Sequence, residues 1–299
     1  MKITISPRSG KSQKFPIILD VPSDAKVNQV KQAIHKKLPK YYPDRQRLTF
    51  DNKLLEEDKT LAEYGIRDGD TVLFKDLGLQ IGWRTVFIIE YFGPLVIHPI
   101  FYYFSTEIYG KSFEHSKMQT ITYYLVLIHF MKREFETIFI HRFSNGTMPF
   151  LNIFKNSGHY YLLSGFNLAY WVYGPWNAKG TAGGEREEWY IWTCVGIWIW
   201  AQLSNLSTHV TLRNLRPPGT RVRKIPHGYG FELVSCPNYF FEVVGWVAIA
   251  ALTKSAAALF FVVFGGGIMY AWAVKKHKNY RKEFKDYPKN RKSMFPFIA

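Results

Sequence analysis

After Ile81 the chain carries one apolar, aromatic-rich run after another, which leaves few folds open to it. The runs cover 84–105, 118–140, 158–176, 189–210, 239–253 and 256–274. Each approaches the ~20 residues that a helix needs to cross a hydrocarbon core of ~30 Å, although 239–253 is short. Only Thr253-Lys254-Ser255 separates the last two runs, which favours a tight helical hairpin over one re-entrant element. The sequence therefore predicts an all-α polytopic bundle of about six transmembrane helices.

The basic residues of the connecting segments predict how such a bundle is oriented. If the N-terminus is cytosolic, so are 141–157, 211–238 and 275–299, which carry 2, 5 and 9 Lys or Arg residues. The opposite loops, 106–117 and 177–188, carry 2 each. Lys and Arg concentrate in the cytosolic loops of membrane proteins. The pattern favours six spans over seven and predicts that both termini are cytosolic.

Residues 1–77 differ in composition and predict a separate soluble domain, while 78–299 form the transmembrane domain. Periodicity and turn residues predict strands in Met1–Pro7, Phe15–Val21, Leu48–Phe50 and Thr71–Phe74 and a helix from Val27 to about Leu38. This β-β-α-β-β order resembles an α+β ubiquitin-like β-grasp domain. Because the chain runs on without a Gly-Gly end, we expect a fused module and not a conjugated modifier.

Charge and cysteine content narrow the possible partners. The formal net charge is +16, and the basic residues concentrate in the segments that follow apolar runs. This placement favours the lipid bilayer and an anionic cofactor over nucleic acid. The two cysteines, Cys194 and Cys236, are too few for a disulfide scaffold or a C-x-x-C zinc site, so we expect no metal.

Ionisable residues inside the apolar runs are the first candidates for a site, because each costs roughly 2.5–3.5 kcal/mol on insertion scales. Lys132 and Glu136 lie at i and i+4, on one face of the predicted second span. One interpretation is an ion pair at the membrane interface, with the stem of Lys132 snorkelling. The other is one wall of a polar cavity.

A second polar stripe leaves the fourth predicted span. Asn205, His209, Arg213 and Arg216 follow one another at offsets of 4, 4 and 3, so they share a helix face. Guanidinium groups match phosphate geometry and keep their charge when desolvated. The stripe is either a row of phosphate donors or a helix end rich in cytosolic anchors.

The C-terminal third carries a recognisable signature. Val234-Ser235-Cys236-Pro237-Asn238-Tyr239 precedes Glu242 and Trp246, and the tail holds His277-x-x-Tyr280-x-x-x-Phe284 and Tyr287-Pro288-x-x-Arg291. With Lys132-Arg133-x-x-Glu136-Thr137 and the ubiquitin-like N-terminus, these motifs resemble the trans-2-enoyl-CoA reductases, a family of the steroid 5α-reductase superfamily. The resemblance extends over essentially the whole chain.

The resemblance implies reduction of a very-long-chain trans-2-enoyl-CoA by NADPH, the last step of fatty acid elongation in the endoplasmic reticulum membrane. Tyr239 is the candidate acid that protonates Cα after hydride reaches Cβ. Lys132 is the second catalytic candidate, either easing proton transfer from the phenol or holding the thioester. Candidate cofactor contacts are Asn205, Arg213, Arg216, Asn238, His277, Tyr280 and Arg291. Candidate orienting residues are Glu136, His209 and Glu242.

Departures from the family pattern keep alternatives open. His209 replaces an acidic residue of the steroid reductases, and Phe130 replaces a substrate-binding tyrosine, which argues against a ketosteroid. The alternatives are a steroid or polyprenol reductase, a membrane methyltransferase, and a non-catalytic adaptor in which Tyr239→Phe and Lys132→Ala are silent. Residues 1–77 either dock other elongation enzymes or support folding. No G-x-G-x-x-G follows a strand, so helix ends and loops must form any NADPH site.

Overall fold

The structure is a computed structural model that describes residues 1–9, 14–143, 146–217 and 223–298. The chain divides into two compact units. The first comprises Met1–Trp83 and Asn145–Asn152, and the second comprises Arg84–Ser144 and Ile153–Ala299. The strands lie in the first unit, whereas the second is mostly helical.

The first unit is built on a five-stranded sheet and one helix. Its elements are β1 (Lys2–Pro7), β2 (Ile17–Asp20), α1 (Val27–Lys37), β3 (Gln46–Phe50), β4 (Lys53–Leu54) and β5 (Thr71–Asp76). The strand order is β2-β1-β5-β3-β4, with β1 parallel to β5 and the other neighbours antiparallel. This topology confirms the predicted ubiquitin-like β-grasp domain.

An apolar core holds this domain. Apolar residues of its strands and helix, including Ile3, Ile34 and Val72, are fully buried. At the edge of the core, Arg45 donates to both carboxylate oxygens of Asp76 at 2.9 and 2.6 Å. This hydrogen bonding lowers the pKa of Asp76 below its ordinary value of 3.8.

A short antiparallel pair, β6 (Gln80–Gly82) and β7 (Thr147–Pro149), completes the first unit. The sequence did not predict it. Three-residue strands carry too little alternation to detect, and the pairing joins segments that are far apart in the chain. Trp83 N also donates to Gly146 O, which ties the end of β6 to the β7 segment.

The second unit contains helices at all six predicted apolar runs. Its helices are α2 (Trp83–Tyr103), α3 (Ser105–Tyr109), α4 (Lys117–Phe135), α5 (Asn152–Gly158), α6 (Leu168–Tyr173), α7 (Glu188–Asn214), α8 (Pro237–Thr253) and α9 (Ala256–Glu283). Two short helices, α3 and α5, lie mostly in segments predicted as loops. By length and composition, α2 and α9 are the two in the described chain that can cross a membrane. The predicted six-span arrangement is not confirmed and stays a prediction.

Two predicted helical runs are interrupted by π-helical segments, at 136–140 and 159–167. In each case a hydroxyl bonds to a carbonyl four residues earlier. Thr137 Oγ1 donates to Arg133 O at 2.8 Å, and Ser164 Oγ donates to Tyr160 O at 2.8 Å. Such side-chain bonds compete with the helical ladder and disturb its geometry. The run at 158–176 begins at the last residue of α5 and continues as a π segment and α6, so it is not one regular helix.

The last two apolar runs are two separate helices that pack together. Lys254 adopts a left-handed conformation (φ 51°) between α8 and α9, and its N–H donates to Ala250 O. α9 continues past the predicted end at 274 to Glu283. The tail then folds back, since Tyr287 and Met294 are buried.

Candidate active site

A buried carboxylate, Glu136, lies where α4 passes into its π segment. Its Oε1 is 3.0 Å from Lys132 Nζ and 3.1 Å from His209 Nδ1, and its Oε2 is 2.6 Å from Arg133 Nη1. The side chain of Glu136 is fully buried, whereas those of Lys132 and Arg133 retain slight exposure. A buried charge is tolerated when it is paired and hydrogen-bonded, and here two cations neutralise one anion.

Polar contacts continue from α4 through α7 to the start of α8. Lys132 Nζ donates to Asn205 Oδ1 at 2.5 Å, and Asn205 Nδ2 donates to the backbone O of Asn238 at 2.8 Å. Asn238 is buried, and its side-chain Oδ1 has no hydrogen-bond partner within the described part of the chain. An orphaned buried acceptor of this kind is a place for a ligand donor.

Arg133 connects this cluster to Glu242 and Tyr91. Its Nη2 donates to Tyr91 OH at 2.8 Å, and its Nε lies 4.0 Å from Glu242 Oε1. Glu242 Oε1 also lies 3.3 Å from His129 Nε2. Sequence reasoning did not single out Arg133 or Tyr91. The signal for Arg133 was its place beside Lys132 near the end of an apolar run.

Tyr239 is half-buried on α8, and its ring centroid lies 6.4 Å from that of Trp272. Lys276 and Arg133 are the basic residues whose positive charges act on its phenol. The described contacts of Lys132 are with Asn205 and Glu136 instead. Lys276 was missed from the sequence, although it directly precedes the candidate His277.

Aromatic and basic side chains of the tail form a second cluster beside the start of α8. The rings of Tyr280 and Tyr287 stack with centroids 5.4 Å apart. The fully buried Arg291 donates to Pro226 O at 2.8 Å and lies 3.2 Å from Glu232 Oε2. These bonds hold the loop that precedes α8, and a cofactor contact of Arg291 stays a prediction.

The two arginines of the predicted stripe, Arg213 in the last turn of α7 and Arg216 just after it, form hydrogen bonds with a third arginine, Arg142. Arg142 Nη1 donates to the backbone O of Arg213 at 3.0 Å and also to that of Arg216. Arg216 Nη1 donates in return to Arg142 O at 3.4 Å. Along the stripe, Asn205 and His209 are buried while Arg213 and Arg216 are partly exposed. The stripe thus runs from the buried cluster to a guanidinium-rich helix end that suits an anion.

Two further groups of ionisable residues belong to the same region. Glu90, on α2, is buried, and its Oε1 has no hydrogen-bond partner in the described ranges. It was detectable as an acid inside an apolar run, the criterion that selected Lys132. The ligand atoms of Glu136, His141 and His209 lie within 4.8 Å of one another. Because Glu136 already pairs with two cations, the electrostatics disfavour a metal ion there, and the expectation of no metal stays a prediction.

Comparisons with known proteins match both units. Residues 146–299 match the family described as 3-oxo-5-alpha-steroid 4-dehydrogenase, and residues 3–74 match the ubiquitin family. A Schizosaccharomyces pombe protein provisionally named an enoyl reductase is 48% identical over the full length of both chains. The very-long-chain enoyl-CoA reductase of Dictyostelium discoideum is 43% identical, over 82% of this chain and 79% of its own. A mouse trans-2,3-enoyl-CoA reductase-like protein is 29% identical, over 94% of this chain and 80% of its own.

Proposed function

The chain belongs to the enoyl-CoA reductases of the steroid 5α-reductase superfamily, and on this premise we propose that it reduces trans-2-enoyl-CoA to saturated acyl-CoA with NADPH. The reaction is the last step of very-long-chain fatty acid elongation. The observation that carries the proposal is the continuous polar path from Lys132 through Asn205 to Asn238, adjacent to Tyr239. It joins the two motifs on which the sequence resemblance rests.

The polar groups near the start of α8 fit a nicotinamide dinucleotide. The orphaned Oδ1 of Asn238 suits the NH₂ of a nicotinamide carboxamide. Arg213 and Arg216 supply positive charge for phosphates, and Tyr280 supplies an aromatic face for a base. NADPH, when bound, supplies the hydride that Cβ receives.

Residues of this chain then have distinct tasks. Tyr239 protonates Cα, which removes the negative charge that develops on the thioester. Lys276 and Arg133 supply positive charge that offsets part of the cost of burying the phenolate that remains. Lys132 positions Asn205, and through it the first turn of α8. Glu136 keeps Lys132 and Arg133 charged in a buried place.

The shape of the neighbouring core favours an acyl chain over a steroid with polar substituents. Phe130 is fully buried, with ring contacts to Tyr91, Tyr160 and Trp246. A phenylalanine at this position offers no hydrogen bond to a keto group. We therefore assign the substrate as a long-chain enoyl thioester.

The proposal includes the membrane arrangement. Six spans in the endoplasmic reticulum membrane place both termini and the basic tail in the cytosol, and α2 and α9 are long and apolar enough to be two of these spans. The ubiquitin-like domain is then cytosolic, where other elongation enzymes are possible partners for it.

Purified full-length protein tests the activity directly. We expect NADPH consumption with a long-chain trans-2-enoyl-CoA, with no consumption on a 3-oxo-4-ene steroid and slower consumption of NADH. Binding of S-adenosylmethionine in place of NADPH would indicate a methyltransferase. Turnover of the steroid alone would contradict the substrate assignment.

A further inference from the structure

Lys292 and Ser293 of the C-terminal tail pair through their backbones with Leu233, Ser235 and Cys236, in the segment that precedes α8, and we call this pairing the clasp. Ser235 N donates to Lys292 O at 2.8 Å, Cys236 N donates to Ser293 O at 3.1 Å, and Lys292 N donates to Leu233 O at 3.0 Å. The pairing is a parallel bridge between Val234 and Lys292. Backbone bonds to the tail thus fix Ser235, three residues before Asn238.

The side chain of Ser235 joins two further residues. Its Oγ is 2.6 Å from Nδ1 of His277, on α9, and 2.6 Å from the hydroxyl of Tyr287, in the tail. Ser235 is fully buried and Tyr287 nearly so. Because a hydroxyl has one proton and two acceptor lone pairs, Ser235 donates to at most one of these neighbours and can accept from the other. Losing either bond would leave a buried polar group without a hydrogen-bond partner, which destabilises the folded protein.

The direction of these bonds determines what His277 can offer to a ligand. Its Nε2 has no hydrogen-bond partner in the described part of the chain. If Tyr287 donates to Ser235 and Ser235 donates to Nδ1, the proton of the neutral imidazole lies on Nε2. The ring then presents an N–H donor. Lys275, Lys276 and Lys278 flank His277 on α9, so the local field favours an anion at that donor.

We infer that Ser235 and Tyr287 are positioning residues that orient His277 and fix its Nε2–H tautomer, so that it donates to a phosphate oxygen of the dinucleotide cofactor. The inference rests on the proposed function, because it needs a dinucleotide bound near the start of α8. Ser235 and Tyr287 then act on the cofactor only through His277. Since Tyr287 lies in the C-terminal tail, the tail contributes to cofactor binding.

The first test is Ser235→Ala in the full-length protein. Losing the bond that orients His277 should raise the KM for NADPH about fivefold, because one hydrogen bond is worth about 1 kcal/mol. The KM for enoyl-CoA and the kcat at saturating NADPH should stay within about twofold of wild type. Tyr287→Phe keeps the ring stack with Tyr280 and should raise the NADPH KM less, about threefold, because Ser235 can still donate to His277.

The matched control is Ser293→Ala, which removes a buried hydroxyl from the same clasp without touching His277. It should leave the NADPH KM unchanged. A double variant tests the route: Ser235→Ala combined with His277→Ala should be no worse for NADPH than His277→Ala alone.

Three results would overturn the inference. One is an unchanged NADPH KM in Ser235→Ala and Tyr287→Phe, and another is additive losses in the double variant. The third is an equal rise of both substrate KM values, which would indicate a structural role only. If wild-type protein neither binds nor consumes NADPH, the proposed function itself fails, which separates the two failures.

Discussion

The two units of this chain differ in how deeply their ion pairs are buried. In the β-grasp domain the core is apolar, and the best-formed ion pair, Arg45 with Asp76, lies at its edge with Asp76 about one-third exposed. In the helical unit, Glu136 is fully buried and contacts Lys132 and Arg133. A fold does not need buried ions for stability, because well-packed apolar residues serve as well or better. In the β-grasp domain the acidic partners of the buried Lys31 and Arg45 stay about one-third or more exposed, so the fully buried Glu136 points to chemistry in the helical unit.

Removing the buried anion should have the largest effect. Glu136→Ala leaves Lys132 and Arg133 uncompensated, so we expect a loss of about 3–5 kcal/mol in the free energy of unfolding, together with loss of turnover. Chemical unfolding of detergent-purified protein measures it. The control is Glu114→Ala, which breaks an exposed pair with Lys179 in the same unit and should be silent. Equal unfolding midpoints for the two variants would remove the distinction between buried and exposed charge.

Changing the candidate acid should affect turnover without affecting folding. Tyr239→Phe removes a proton donor but keeps the ring, so we expect kcat to fall about 10²–10⁴-fold with an unchanged unfolding midpoint. Lys132→Ala should also lower turnover. The exposed Tyr124→Phe, on α4, is the control and should behave as wild type. Normal rates in both Tyr239→Phe and Lys132→Ala would show that the site lies elsewhere.

The two units also differ in why particular glycines are needed. A Cβ on Gly93 in α2 would lie 1.9 Å from the ring of Tyr161, so Gly93→Ala should destabilise the protein by about 1–3 kcal/mol. Gly265→Ala in α9 meets open space and should be neutral or slightly stabilising. In the β-grasp domain the constraint is conformational instead, since Gly65 has open space but a φ of +73°. Thermal unfolding of the variants measures the difference, and a neutral Gly93→Ala would mean that Tyr161 moves aside freely.

The edge pair of the β-grasp domain should give the smallest effect. Arg45→Ala should cost about 1 kcal/mol at neutral pH, a value reduced by solvent screening of Asp76. Because Arg45 lowers the pKa of Asp76, its contribution is present above the ordinary value of 3.8 and is lost as pH falls through the lower folded value. Unfolding at neutral and strongly acidic pH tests this. Arg47→Ala, an exposed control on β3, should show no such pH dependence.

Local periodicity predicted much of the fold. α1 was expected from Val27 to about Leu38 and ends at Lys37, and the run at 189–210 lies within α7. Three features did not follow from the sequence: the β6–β7 pair, the two π segments and the extension of α9 to Glu283. The strand pair depends on contacts between distant segments. Each π segment carries a hydroxyl bonded to a carbonyl four residues earlier, a contact that periodicity does not detect.

The candidate site was predicted as a set of residues, without its partners. Spacing alone placed Lys132 beside Glu136, because residues at i and i+4 meet on a helix. It could not show that Lys132 also binds Asn205, nor that the charge of Lys276 acts on Tyr239. These contacts join different helices.

The sequence by itself determined the main helices and the main strands of the β-grasp sheet, their order, the family and the residue types available for the chemistry, because each is encoded by local pattern and composition. Only the tertiary structure decided which buried groups neutralise one another and that the tail closes on the segment before α8. Such contacts depend on how helices pack, and packing is set by the shapes of many side chains together. A pattern of a few neighbouring residues does not contain that information.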